Sequence, residues 1–399
     1  MAHLPNQRRY DLDWLRVLAF ALLILFHTGM MFNTWGWHVK NNQTSVLFEY
    51  IMRFTHEWRM PLLFLISGAA IWFAMDKYAG RKFIAERHKR LLIPLLFGML
   101  FIIPPQVYHE RLFQGQIFEN FWQFYKTIFE LTPYPEGNFS WHHLWYLPYI
   151  FTFSLIMFPV FRYLKSESGR AKLTACVDFF EKGQRILGWF VPIAISEIVL
   201  RPFWPDNANN LLADWAQFST TLLIFCFGFM LASHIGIWQA IERNRFKALA
   251  GASIATFCLY SIWYSDLQVA SVAELVFYRS LRMFHLWCWL LVFLGFAKRH
   301  LNRNHRHLKY ANEAVYPFYI LHQTITVVFG YYIVNWQASI ATKFLLVAAV
   351  TFLGCWLLLE GVIKHNNLLR LVFGMRPKRA AQSTNALKTE PVRVSLSVE

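Results

Sequence analysis

Residues 11–32 read DLDWLRVLAFALLILFHTGMMF. From Leu12 to Phe32 this is an apolar run of about the 20 residues that a helix needs to cross a bilayer. Two polar side chains interrupt it, Arg16 and His27. Eleven residues is almost three helical turns, so both lie on one helix face, about 16 Å apart along the axis. A charged or titratable group near the centre of a membrane helix costs roughly 2.5–3.5 kcal/mol. Two readings follow. Either Arg16 snorkels to the interface while His27 packs against a neighbouring helix, or the chain retains both for use.

The rest of the chain has the same character. Of its 399 residues 56% are hydrophobic and 16% charged, against about a quarter charged in a soluble domain. Apolar segments recur at roughly 14–33, 60–76, 91–108, 144–161, 186–201, 218–235, 248–264, 280–297, 314–334 and 342–362. The expected fold is all-α, a polytopic integral membrane protein with about ten transmembrane helices. The segment 186–201 is the least regular, with Pro192, Ser196 and Glu197 inside it. Charge in the connections orients the chain. On the ten-span reading, 29 of the 39 Lys and Arg fall on the side that carries both termini and nine on the other, with Arg16 inside the first span. The positive-inside rule then makes both termini cytoplasmic and the chain a component of the cytoplasmic (inner) membrane. The net charge of +16 is accordingly a topology signal. Nucleic acid is excluded as a partner, because that would need a basic face on a soluble domain.

The first segment ends in Phe32, Asn33 and Trp35 without a small-residue cleavage pattern, so it reads as a retained helix. Residues 1–374 form the membrane domain, and 375–399 are polar and aperiodic, as expected of a disordered cytoplasmic tail. The five cysteines show no paired spacing and read as reduced, packed thiols. The chain has no G-x-x-x-x-G-K-[ST], H-E-x-x-H or G-x-S-x-G pattern. No metal is expected: His142–His143 is the sole adjacent histidine pair and lacks a carboxylate or Cys at ligand spacing.

Polar residues near the spans supply the candidate site. On the cytoplasmic side Arg87 and Arg90 share a helix face at i, i+3, just ahead of the third span. The planar guanidinium suits phosphate, although any such connection tends to be basic. Together with Arg16 they form a cluster able to hold a phosphorylated donor such as a nucleotide-containing thioester. On the opposite side FEYIMRFTHEWRMP carries Arg53, His56, Glu57 and Arg59, and His38 precedes it in the loop. His56 titrates near neutral pH and stands at the entrance of the second span. Glu274, Tyr278, Arg282 and His285 make one polar stripe running into the eighth span, as expected of a face turned toward other helices or a wet cavity. His322 and Glu360 are isolated polar residues in or near spans. The aromatic connection 109–143 reads as an interfacial helix or as a platform for sugar rings, and it ends in SWHHLWYLP.

On these motifs the chain resembles the membrane-bound acyltransferase-3 family. That pattern is R-x10-H in the first helix, here Arg16 to His27, and R-x-x-R before the third, here Arg87 to Arg90. Asp13–Arg16 (DWLR), Phe64–Gly68 (FLISG), His143–Leu147 (HLWYL) and Pro317–Gln323 (PFYILHQ) match in order. The stretches WGWHV and FTHEWRMPLLFLISG look most like the branch that decorates periplasmic glucans, sometimes with succinyl groups.

The resemblance implies transfer of an acyl group, acetyl or succinyl in type, from cytoplasmic acyl-CoA to a hydroxyl of an extracytoplasmic carbohydrate. It implies no permanently bound cofactor; acyl-CoA is the donor substrate. Arg16, Arg87 and Arg90 are then expected to hold the donor. The expected catalytic residues are His27, as general base or carrier of the acyl group, with His56 and with Asp13, which holds Arg16. His38, Glu57, Arg59, His143, Trp145, Arg282, His285 and His322 are expected to line the acceptor side. Partner proteins of glycan synthesis are a further expectation. A transporter or flippase that moves a carbohydrate without acyl transfer is the competing reading, since it too would place titratable groups in mid-membrane.

Overall fold

A computed structural model describes residues 8–378 apart from 79, 206–209 and 266–270. The chain runs α1 (Tyr10–Gly29), α2 (Val46–Lys77), α3 (Arg81–Phe113), α4 (Phe121–Lys126), α5 (His142–Ile156), α6 (Phe158–Leu164) and α7 (Glu167–Glu181). It continues α8 (Arg185–Leu200), α9 (Trp215–Leu231), α10 (Ile235–Trp263), α11 (Val272–His300), α12 (Leu308–Ile333), α13 (Ile340–Gly361) and α14 (Asn367–Val372). No strand forms among the described residues.

Among the described residues six helices are long and apolar enough to cross a membrane: α1, α2, α3, α10, α11 and α13. The bent pairs α5 with α6 (52°) and α7 with α8 (117°) raise the number to as many as eight. Two expected spans fall outside that number for physical reasons. α9 has 17 residues, short of the ~20 needed for an untilted crossing. α12 is 26 residues long, but Lys309, Asn312, Glu313, His322 and Gln323 lower its hydropathy.

α1 is the central element. It packs against α2, α11, α12 and α13, and leaves an exposed apolar stripe at helical spacing, Leu18, Ala21 and Leu25. The α2–α9 seam is closer than any side chain allows. A Cβ on Gly68 would sit 1.8 Å from the Phe225 carbonyl oxygen, and one on Gly228 1.9 Å from that of Leu65. Small residues let helix backbones approach in this way. Gly68→Ala must push the two helices apart, an overpacking expected to cost about 1–3 kcal/mol. The measurement is the thermal unfolding midpoint in detergent, which falls relative to wild type.

α3 contains two π-helical turns, His88–Leu92 and Gly98–Ile102, each just ahead of a proline-bearing segment at Pro94 or Pro104–Pro105. Proline cannot donate to the carbonyl four residues earlier. For Pro104 that carbonyl is Leu100, and the Tyr125 hydroxyl donates to it at 3.0 Å. The aromatic connection is thus tied to α3 through α4, with Phe124 buried against Tyr108 and Trp122 left exposed.

The connection 30–45 folds back over the end of α1. Lys40 Nζ donates to the carbonyls of Met30 (2.7 Å) and Asn33 (2.5 Å), and burial pushes this ammonium down to about 8. Buried Lys343 at the start of α13 holds the same connection through Asn41 Oδ1 at 2.8 Å, and caps the Val334 carbonyl at 2.6 Å. Trp37 and His38 are thereby brought to α1. At the other end of α1, Arg8, Arg9, Arg376 and Pro377 line one cavity, so the two described chain ends meet on one side. Met375, the first residue of the expected tail, is buried, and Lys378 N–H donates to Asn367 Oδ1 at 2.9 Å. The tail from 379 onward lies outside the described residues.

Candidate active site

The two polar residues of α1 stand in two different places. Arg16 is in the wall of a cavity of about 910 Å³. Arg87 and Arg90 line the same cavity, as do Arg8, Arg9, Lys309 and Arg370, which the sequence reading did not single out. The cations differ in how far they are neutralised. Arg16 Nη1 meets Asp13 Oδ1 at 3.4 Å and Asn312 Oδ1 at 3.5 Å. Arg90 Nε lies 3.8 Å from Glu86. Arg370 pairs with Glu313. Arg87 lies over the Phe83 ring, its Nε unpartnered, with no carboxylate in salt-bridge range among the described residues. Asp13 also takes Arg8 Nε at 2.8 Å. Fourteen residues separate it from His27, about 21 Å along the helix. The catalytic expectation for Asp13 is therefore corrected: it belongs to the guanidinium end and does not reach His27.

The cavity runs inward to Ser67, whose hydroxyl bonds the Tyr146 hydroxyl. Beyond it Phe20, Tyr146 and Tyr319 pack edge to face, with centroids 5.3–6.4 Å apart. This aromatic layer divides the cavity from a histidine cluster on its far side. Tyr319 spans the divide, its hydroxyl donating to the His143 carbonyl at 2.6 Å.

In that cluster His27 Nδ1 lies 2.8 Å from His322 Nε2, and the rings stack at 5.0 Å. Trp37 stacks on the His27 ring at 6.2 Å, nearly parallel. His143 Nε2 donates to the Ile320 carbonyl at 3.0 Å, and its ring meets that of His322 edge-on. His38 Nδ1 donates to Glu110 at 2.9 Å, leaving Nε2 to accept from the Gln323 amide at 3.1 Å and the Gln106 amide at 3.3 Å. The Tyr134 hydroxyl donates to Glu110 at 2.8 Å, and burial together with that carboxylate raises its pKa. The fold thus gathers His27, His38, His143 and His322 from four separate segments. Glu110, Gln106, Gln323 and Tyr134 are the members that sequence reasoning missed. The usable signal was Glu110 itself, an acid at the end of an apolar helix that had to find a partner.

The remaining candidates separate. His56 stacks on Phe26 at 6.1 Å, and Arg59 Nη1 lies 3.5 Å from its Nδ1. Arg59 sits over the Phe26 ring at 3.2 Å, buried, with Nε unpartnered and no carboxylate in salt-bridge range among the described residues. Both are thus one ring away from His27. Arg282 instead forms a forked pair with Glu57, with contacts of 3.0–3.3 Å. His285 is buried and hydrogen-bonded to Thr256 at 3.1 Å. Trp145 packs on Phe64 and Tyr149. The structure does not bring these last four to His27. Glu57→Gln would leave Arg282 without its counter-charge. With the Arg282 side chain 28% exposed, the expected loss of stability is about 2 kcal/mol, less than for a fully buried pair. Chemical denaturation of the purified protein measures it.

The acyltransferase-domain model of the acyltransferase-3 family matches residues 9–360, which spans both the cavity and the histidine cluster. The chain belongs to the acyltransferase-3 family. It is an enzyme, an acyltransferase embedded in a membrane. Glucans biosynthesis protein C of Escherichia coli O139:H28 (strain E24377A) is 23% identical over 390 residues, covering 94% of this chain and 97% of that protein. The protein of the same name from Shigella dysenteriae serotype 1 (strain Sd197) is 22% identical over 387 residues, with the same coverage. So is that of E. coli K12. No solved structure matches. Arg16, Arg87 and Arg90 of the two motifs stand together in the cavity, and His27 stands in the histidine cluster beyond the aromatic layer.

Proposed function

We propose that the protein transfers an acyl group, acetyl or succinyl in type, from cytoplasmic acyl-CoA to a hydroxyl of an extracytoplasmic carbohydrate such as a periplasmic glucan. In this reading the chain crosses the inner membrane ten times, with both termini cytoplasmic. The observation that carries it is the placement of α1. One end stands in a cation-lined cavity sized for a nucleotide, and the other in a histidine cluster across an aromatic layer. Anionic phosphates seek clustered guanidinium groups, and the acyl arm extends from there toward His27. Neutral His27 takes the proton of the acceptor hydroxyl as its oxygen bonds to the thioester carbonyl carbon. The carbon–sulfur bond then breaks, and the CoA thiolate leaves with that proton. The glucan acceptor follows from the names of the relatives, and aromatic and histidine side chains on the far side suit a sugar.

The test uses the full chain in proteoliposomes with labelled acetyl-CoA or succinyl-CoA on one face and a glucan oligosaccharide on the other. Release of free CoA together with acylated oligosaccharide is the expected result. Movement of oligosaccharide without CoA release overturns the reading in favour of a transporter. Label retained on the protein without acceptor would identify a covalent acyl-imidazole at His27 instead of direct transfer.

A further inference from the structure

We infer that His322 is a positioning residue that fixes the tautomer of His27, holding the proton on Nδ1 and leaving Nε2 bare. The inference rests on the reading of His27 as the base but is derived from hydrogen bonding alone. His322 Nδ1 lies 2.8 Å from the Tyr319 carbonyl and 3.2 Å from that of Phe318. Carbonyl oxygens accept and never donate, so this nitrogen carries the proton. In a neutral ring the other nitrogen, Nε2, is then an acceptor only. Its contact is His27 Nδ1 at 2.8 Å, and a bond there requires His27 to donate from Nδ1. Neutral His27 is left with a lone pair on Nε2, to which nothing among the described residues hydrogen-bonds.

The surroundings hold this arrangement in place. His322 is 1% exposed, while His27 is only half-buried. A substrate that meets His27 therefore does not meet His322, which moves His322 out of the expected acceptor-lining set. The ring of His322 is fixed from two sides, by the stacked His27 and by the edge of His143. His143 is anchored in turn to α12 through the Ile320 carbonyl. When His27 Nε2 takes the acceptor proton, the ring becomes an imidazolium whose Nδ1–H still donates to His322 Nε2. The relay moves no second proton; it orients the base and stabilises its charge. A second histidine here does the work that a carboxylate does in other base–orienter pairs, without placing an anion in the apolar core.

The experiment is solid-state NMR of the full chain, reconstituted in bilayers with histidine labelled at both ring nitrogens. The His27 signals are identified as those missing in His27→Gln. Wild type is expected to show Nδ1 protonated and Nε2 bare. His322→Leu is expected to lose that single tautomer and to lower kcat for acetyl-CoA turnover about 10²-fold, with KM unchanged. His322→Gln retains a side-chain acceptor, keeps the Nδ1–H form and restores most of kcat; it also serves if the leucine variant fails to fold. A wild-type His27 protonated on Nε2, or a tautomer unaltered in His322→Leu, overturns the inference. The spectrum needs no turnover, so a failure of the acyl-transfer reading is seen separately, as His27→Ala that keeps full activity.

Discussion

His27→Ala is expected to lower acyl transfer by about 10²–10⁴-fold, the range that a positioned general base contributes. Affinity for acyl-CoA is expected to stay within about twofold of wild type. The asymmetry follows from geometry. His27 and Arg16 are eleven residues apart on α1, so the substitution lies about 16 Å along the helix axis from Arg16. It also lies beyond the layer formed by Phe20, Tyr146 and Tyr319. An interaction made only in the transition state lowers kcat and kcat/KM alike. Stopped assays of CoA release, paired with equilibrium binding of the donor, separate the two effects. Loss of donor binding in His27→Ala would mean that the histidine end and the cavity are one site, contrary to the division seen here. His27→Gln refines the result, because it preserves a donor toward His322 but supplies no base. It is expected to fold like wild type and to be as inactive as the alanine variant.

The fold was legible wherever a local pattern carried it. The face shared by Arg16 and His27 needs only the helical period. The membrane class needs only composition. The helices themselves run past the apolar segments that announced them: the expected 60–76 lies inside Val46–Lys77, and 91–108 inside Arg81–Phe113. Hydropathy marks the part of a helix that sits in lipid, whereas FEYIMRFTHEWRM continues the helix with Glu49 and Arg53 paired, Glu57 paired to Arg282 and Arg59 packed on Phe26. The long-range polar pairs were not legible for a different reason. His27 meets His322 across 295 residues, His38 meets Glu110 across 72, and Arg282 meets Glu57 across 225. No period links positions so far apart. The one available rule is that each buried polar group must find a partner. It says that His27 and His322 need company without saying that they are each other's. The same rule explains Arg282 and His285, whose stripe was read as facing other helices or a wet cavity. Their partners Glu57 and Thr256 lie inside the helix packing, and His285 Nδ1 has no hydrogen-bond partner among the described residues.

Arg87→Ala is expected to weaken acyl-CoA binding more than the matching change at Arg16 or Arg90. All three guanidinium groups line the cavity, so a ranking by position alone would make them equal. Their partners decide otherwise. Asp13 neutralises part of Arg16, and Glu86 part of Arg90. Arg87 has no carboxylate partner among the described residues, and its Nε has no hydrogen bond. An unpaired guanidinium offers its full charge and its terminal nitrogens to a phosphate. Hydrogen bonds to charged groups contribute roughly 1.5–3 kcal/mol, which converts to about a 10- to 150-fold loss of affinity at 1.4 kcal/mol per decade. Arg90 is already partly neutralised, so its loss is expected to be smaller than that of Arg87, although Arg90→Ala also frees Glu86 to repel the ligand, which keeps the loss from being negligible. Arg87→Lys keeps the charge without the fork and should recover only part of the affinity. The effect belongs to KM or Kd for the donor, while kcat at saturating donor stays near wild type, the reverse of the His27 result. The discriminating measurement is a binding isotherm for CoA itself, which carries the phosphates without the acyl group. If Arg87→Ala leaves CoA affinity intact while Arg16→Ala abolishes it, the unpaired cation is not the principal phosphate contact and the anion seats against Arg16 beside Asn312 instead.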